Sequence, residues 1–154
     1  MAEKSTARPQ VTLFCDGGCR PNPGAGAWAA ILRFNDIDKE LTGGEEQTTN
    51  NRMELTAVTR ALEALKVPCD VTIVTDSEYM ANAFRQKWIE KWKKNGWKTA
   101  AKEPVKNQDI WVVLDALIAK HHVTWQWTRG HSGHAENERC DELCTQTRIK
   151  LFGV

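Results

Sequence analysis

The alternation of apolar and polar positions predicts five strands and five helices. Residues 11–15 (VTLFC) are short, β-branched and apolar, which predicts a strand. The following DGGCRPNPGAGA is dense in glycine and proline and reads as a turn or loop. Residues 28–34 form a second strand, 36–38 a turn, and 39–47 a third strand of an antiparallel meander. Thr48-Thr49-Asn50-Asn51 offers N-cap side chains for a helix over 52–66, with Leu55, Val58, Leu62 and Leu65 on one face and Pro68 as its stop. Residues 71–75 (VTIVT) alternate little, as in a central strand covered on both faces. Further helices are predicted from Asp76-Ser77 to about Phe84, over 88–94 up to Asn95-Gly96, and over 108–120. A strand follows over 123–128, where Val123, Trp125 and Trp127 alternate with Thr124, Gln126 and Thr128. Gly130-His131-Ser132-Gly133-His134 reads as a flexible loop before a closing helix over 135–152.

The order βββ-α-β-α-α-α-β-α implies an α/β fold, with helices packed on the faces of a mixed sheet. Repeats and linkers are lacking, so one domain is expected over 10–154, behind a disordered polar tail over 1–9. The chain has 154 residues, 41% hydrophobic and 27% charged, which suits a globular protein with its own core. The start MAEKSTARP has no apolar export segment, and no stretch nears the roughly 20 apolar residues of a membrane span. Five cysteines are too few and too odd for a disulfide framework, so reduced thiols in a cytoplasmic protein are expected. No membrane contact or obligate protein partner is indicated, and a monomer is expected.

The net charge of +1 conceals an asymmetry. Between Arg85 and Lys106 stand eight basic and two acidic residues, a net +6, beside an acidic remainder of −5. Trp88, Trp92 and Trp97 lie in this segment. It is a candidate phosphate-backbone contact, with Trp88 and Trp92 sharing a helix face as core anchors and Lys87, Lys91 and Lys94 on a neighbouring face.

Four acids are candidates for chemistry. Asp16 ends the first strand and Asp76 the central one; strand ends of an open sheet are where sites form. Glu54 opens the first helix, and its neighbours at i+4, i+7 and i+11 are Val58, Ala61 and Leu65, so it lies on or beside the apolar stripe. An unpaired carboxylate there is costly unless protonated or neutralised by a cation. Asp141 lies in the last helix. Each acid but Glu54 also has a plain structural reading: Asp76 as a helix N-cap, Asp16 as a turn residue, Asp141 as one of several acids on a solvated face. Spacing alone does not separate these four from the other acids.

Five blocks carry a resemblance that does separate them: FCDGGCRPNPGAGAWAAIL, TTNNRMEL, VTDSEY, KKNGWKTAAKEPVKN and WTRGHSGHAENERCDEL. In this order, over about residues 10–148, they resemble the bacterial-type ribonuclease H (ribonuclease HI) family. The resemblance implies a ribonuclease H-like five-stranded mixed sheet, its first three strands antiparallel, flanked by helices. It implies endonucleolytic hydrolysis of the RNA strand of RNA–DNA hybrids, leaving 5′-phosphate and 3′-hydroxyl ends. By motif, the catalytic and metal-binding acids fall on Asp16, Glu54, Asp76 and Asp141, and an auxiliary histidine on His131, with a proton-transfer or product-release role. Two Mg²⁺ ions, replaceable by Mn²⁺, suit an all-carboxylate donor set. Four crowded carboxylates without metal repel, so at least one pKa is expected to rise.

The substrate is expected to meet Gly17, Gly18, Asn22, Asn50 and Asn51 on its RNA strand, read through 2′-hydroxyls. Lys91, Lys93, Lys94, Trp97 and Lys98 of the basic protrusion are expected on the DNA strand. Asn50 and Asn51 have helix capping as their plain reading. The chain departs from the family pattern at Glu78, where glutamine is usual, at Gly18 for serine and at Pro21 for glycine; Glu78 is kept as a candidate substrate contact. Cys15/Cys19 and Cys140/Cys144 have metal-pair spacing but read as buried or half-buried thiols. The alternatives to a hybrid endonuclease are a non-catalytic hybrid-binding module and a DNA-processing nuclease of the same fold. The retained acids and His131 argue against the first, and TNNRMEL with the WKKNGW segment against the second.

Overall fold

The computed structural model describes residues 8–128 and 135–154. Elements are numbered in chain order: β1 (Gln10–Arg20), β2 (Gly24–Phe34), β3 (Ile37–Thr48), α1 (Asn50–Glu63), β4 (Asp70–Thr75), α2 (Glu78–Arg85), α3 (Trp88–Lys94), α4 (Gln108–Lys120), β5 (His122–Trp127) and α5 (Ala135–Phe152). The sheet has the order β3-β2-β1-β4-β5, antiparallel from β3 to β1 and parallel from β1 through β4 to β5. Element order and sheet type are as the sequence predicts.

The predicted glycine-rich loop is a correction. β1 runs through Asp16, Gly17 and Gly18 to Arg20, and Gly17↔Trp28, Gly18↔Ala27 and Cys19↔Gly26 pair across the hairpin. Only residues 21–23 turn. The glycines answer to crowding: a Cβ on Gly26 would lie 2.5 Å from Thr48 Cγ2. The next reversal also shifts, from 36–38 to Asn35 and Asp36, whose φ values of 50° and 64° suit a two-residue hairpin turn closed by Phe34↔Ile37. Asp38 is thereby in β3, where it accepts from Arg33 at 2.7 Å. Ahead of β1, the Pro9 carbonyl accepts from the Asp70 N–H at 2.9 Å, so the sheet already holds the chain there.

Strand alternation divides the core between two faces. Leu13, Cys15, Ala30, Leu32, Val71 and Ile73 pack with buried residues of α1 to α4, among them Leu55, Val58, Leu62, Met80, Ile89, Trp111 and Leu114. Phe14, Ala29, Ile31 and Val74 face α5 through Cys140, Leu143 and Cys144. β4 thus contributes to both faces, as its unbroken apolar run predicts. Ion pairs set α5 on its face: Arg33 with Glu136 at 2.9 Å, and Arg139 with Glu40 at 2.8 Å. The five cysteines are free thiols; Cys15, Cys69, Cys140 and Cys144 are buried.

Candidate active site

Parallel pairing of β1 with β4 ends at Phe14↔Val74. Asp16 stands two residues beyond that pair within β1, and Asp76 two residues beyond it just past the end of β4, where β1 leaves β4 and continues with β2 alone. This divergence is the crevice expected beyond the carboxyl ends of parallel strands. Glu54 arrives from α1. Because α1 begins at Asn50, two residues before the predicted start, Glu54 stands past the first turn with its free N–H groups. Oxygens of Asp16, Glu54 and Asp76 all lie within 4.8 Å of one another, and all three residues are half-buried.

The capping readings of these residues go elsewhere. Thr49, not Asn50 or Asn51, caps α1 by accepting from the Arg52 N–H at 3.2 Å. Ser77, not Asp76, caps α2 by accepting from the Met80 N–H at 3.2 Å. Ser77 is buried, and its hydroxyl is near enough to the Glu54 carboxyl to act on its pKa. The Gly17 N–H donates to Asp16 Oδ1 at 2.9 Å, which orients that carboxylate. Burial, then the charges of Asp76 and Asp16, push the Glu54 pKa up to about 8, against the opposing effect of the Ser77 hydroxyl. The rise expected of crowded carboxylates therefore falls on the helical acid.

Asp141 lies on the exposed side of α5, outside the 4.8 Å set. It lines a groove of about 300 Å³ together with Asp16, Glu54, Gly17, Gly18, Cys19 and Asn50. Neighbouring acids on α5 are engaged otherwise, Glu136 with Arg33 and Glu142 with Arg139. A second groove of similar volume opens at Asp76 and holds Glu78, Arg85 and Trp127. The carboxylate cluster thus sits between two open channels. His131 and its loop lie outside the described residues.

The β1–β2 turn is tied to the start of α1. Asn50 Oδ1 accepts from the Cys19 N–H at 2.8 Å, and Asn22 Oδ1 accepts from the Asn50 N–H at 3.2 Å. With both carbonyl oxygens engaged inward, the Asn22 and Asn50 amide NH₂ groups are left as donors. Asn51 is exposed. In the basic segment, Trp88, Trp92 and Trp97 are half-buried against the main core, and Trp92 packs edge-on to Trp111 at 5.5 Å. Lys91, Lys94 and Lys98 are exposed. Lys93 is exposed as well, and its Nζ lies 2.6 Å from Asp115 Oδ2, which ties α3 to α4.

Sequence reasoning missed four contributors. Arg52, inside NNRMEL, holds Asp109 at 2.8 Å and Glu45 at 2.9 Å and so fixes the first turn of α1 against α4 and β3. Ser77 is visible in the sequence only as a cap. Thr145 and Arg148 line the first groove; their spacing of i+4 and i+7 from Asp141 is the signal that would have found them.

The RNase H family model matches residues 8–149. The chain belongs to the RNase H family. It is 59% identical over 144 residues to the ribonuclease H of Hydrogenovibrio crunogenus, covering 94% of this chain and 99% of that one. It is 57% identical over 136 residues to ribonuclease HI of Neisseria meningitidis serogroup A, covering 88% and 93%. Among solved structures, LC9-RNase H1, a type 1 RNase H with the type 2 active-site motif, superposes with a TM-score of 0.81 at 26% identity, over 93% of this chain and 74% of that one. LC11-RNase H1 in complex with an RNA/DNA hybrid shares the fold, with a TM-score of 0.70 at 21% identity over 91% and 97%. An RNase H is an enzyme, and the Asp16–Glu54–Asp76 cluster is its candidate metal site. No helix of the described residues is long and apolar enough to cross a membrane.

Proposed function

We propose that the protein hydrolyses the RNA strand of RNA–DNA hybrids at the Asp16–Glu54–Asp76 cluster, leaving 5′-phosphate and 3′-hydroxyl ends. The observation that carries this reading is the meeting of three carboxylates within 4.8 Å, one of them driven to a pKa of about 8 by burial and by the charge of the other two. Such an oxygen-only donor set fits hard divalent cations, Mg²⁺ first and Mn²⁺ as a substitute. When bound as a pair, these ions supply activation of the attacking water and stabilisation of the leaving 3′-oxygen.

The chain's own groups do the rest. Asp16, Glu54 and Asp76 hold the cations, and Asp141 joins them from α5 across the shared groove. The Gly17 N–H keeps Asp16 Oδ1 in place, and the Ser77 hydroxyl lies beside Glu54. Gly18 and Asn50 line the channel into which the RNA strand fits, and Asn22 and Asn51 lie next to them at the β1–β2 turn and the start of α1, with the amide donors directed to its ribose and base edges. Glu78 borders the second channel. Lys91, Lys94 and Lys98, with Trp97 at their base, hold the DNA strand by its phosphates. His131 serves proton transfer or product release. The hybrid in the LC11-RNase H1 structure supports this substrate class.

The test is incubation with a labelled RNA–DNA hybrid, with and without Mg²⁺, beside single-stranded and double-stranded RNA. Cleavage of the hybrid's RNA alone, only with metal, with Asp16→Asn binding but not cutting, is the expected result. Cleavage of a DNA duplex in place of the hybrid, or binding without cleavage by the wild type, overturns the reading.

A further inference from the structure

The groove beside Asp16 and Glu54 has α5 as one wall. Asp141, Cys144, Thr145 and Arg148 line it at i, i+3, i+4 and i+7, a single face of the helix. Among the described residues, Arg148 is the one cation that lines this groove. Its Nε is buried and makes no hydrogen bond, and its guanidinium forms no ion pair with any described carboxylate. Arg33, Arg52, Arg60 and Arg139 behave differently, since each is held by a carboxylate. The contrast is sharpest within α5, where Arg139 binds both Glu40 and Glu142.

A half-buried guanidinium with an unmet donor is costly. It has five donors in a planar fork suited to an oxyanion. The groove it faces also contains Gly18, Cys19 and Asn50 and leads to Asp16 and Glu54. A nucleic-acid strand cut at the carboxylates and lying in this groove passes Arg148 with its phosphates. Seven residues of helix separate Arg148 from Asp141, about 10 Å along the axis, so the phosphate it meets is not the scissile one. We propose that Arg148 binds a backbone phosphate of the cut strand, next to the scissile phosphate, and so sets the strand's register over the carboxylates. With no described carboxylate paired to it, the guanidinium is available to a phosphate. The proposal rests on the hybrid-cleaving reading above.

The experiment uses the full chain in EDTA, where binding is read without cleavage. Hybrid affinity is measured by anisotropy against salt for the wild type, Arg148→Ala and Arg148→Lys, with thermal melting as the folding control. Hybrids with one RNA phosphate at a time replaced by methylphosphonate locate the interaction. Arg148→Ala is expected to weaken binding about ten- to a hundredfold, and its salt slope to fall by about 0.7–0.9. Arg148→Lys should restore the slope and part of the affinity. One neutralised phosphate should weaken the wild type but leave Arg148→Ala indifferent. With Mg²⁺, KM should rise more than kcat falls. An unchanged slope in Arg148→Ala, or equal sensitivity of both proteins at every phosphate, overturns the proposal while the hybrid reading stands. A wild type that neither binds nor cuts the hybrid overturns both.

Discussion

A Cβ placed on Gly17 would lie 2.6 Å from the amide nitrogen of Glu54 and 2.4 Å from the carbonyl carbon of Met53. β1 and α1 therefore touch backbone to backbone at the point where their carboxylates meet. The neighbouring atoms are main chain, so no side chain can swing aside to admit a methyl group. Gly17→Ala is expected to push the start of α1 outward, costing about 1–3 kcal/mol of stability. Displacing Glu54 by even 1 Å is expected to lower kcat about a hundredfold. Gly18→Ala is the control for folding alone, because a Cβ there meets only Asn50 Oδ1, at an ordinary 3.5 Å, so it should melt as wild type. Steady-state kinetics on a hybrid, with melting curves, check the pair. Wild-type turnover by Gly17→Ala would show that this close approach does not position the site.

Glu54 makes the metal-free protein less stable as pH rises. Its pKa is 4.5 in the unfolded chain and about 8 in the fold. Between these values the folded state keeps a proton that the unfolded state has lost, so stability falls with increasing pH and levels off above about 8. His121 works the other way and lower down. Its Nδ1 accepts from the Cys69 N–H at 3.0 Å, and burial holds its pKa below 6.5. Stability tied to neutral His121 is present above pH 6.5 and is lost as pH falls below it. Among the described residues, the window from 6.5 to 8 therefore reports chiefly on Glu54. In EDTA, the wild-type Tm should decline across that window, and Glu54→Gln should be inactive yet melt higher and with less slope, by about 2–4 °C per kcal/mol relieved. Mg²⁺ should raise the wild-type Tm more at pH 8 than at pH 6.5. A Glu54→Gln slope equal to wild type would contradict the account.

The parts legible in the sequence are those governed by local periodicity. The strand-and-helix order follows from it, as do the two-faced burial of β4 and the position of Glu54 beside the apolar stripe. What eludes it depends on partners distant in the chain. DGG reads as a loop because its glycines signal a turn locally, whereas they answer to α1 pressing on β1 from 37 residues away at Gly17 and Glu54. Lys93 looks like its neighbouring lysines until Asp115 is placed beside it. The acids themselves are scattered over 125 residues, and the motif resemblance rather than spacing singles them out. Ser77 stays hidden because its nearness to Glu54 depends on a helix that sequence cannot bring near.

His131 carries the proposed proton-transfer or product-release role. His131→Ala is expected to slow hybrid cleavage in Mg²⁺ without abolishing it, since the carboxylates still hold the cations. The loss should vary between pH 6 and 9, because an imidazole changes charge within or near that range. Single-turnover and steady-state rates across this range distinguish the two roles. A defect confined to steady state assigns product release, one in both assigns proton transfer, and an unchanged rate at every pH removes His131 from the mechanism.

In the basic segment, Lys93 differs from Lys94 and Lys98, the proposed substrate lysines, in having a carboxylate partner. Lys93 is bound to Asp115 at 2.6 Å, so its charge is already matched within the protein. Lys94 and Lys98 are exposed, and no described acid pairs with either. A cation engaged by a carboxylate releases few counter-ions on binding DNA, whereas a solvated lysine that meets a phosphate displaces a condensed ion. Lys93→Ala is expected to cost up to about 1 kcal/mol of stability, as the partly exposed pair is worth no more, and to leave the salt slope of hybrid binding unchanged. Lys94→Ala with Lys98→Ala should melt as wild type, raise KM, and flatten the slope by about 0.7–0.9 for each phosphate that a lysine no longer meets. Chemical denaturation and salt titrations on the same three proteins decide the assignment. A slope that drops in Lys93→Ala but not in the double variant would place the substrate lysine on the α4 side of the protrusion instead.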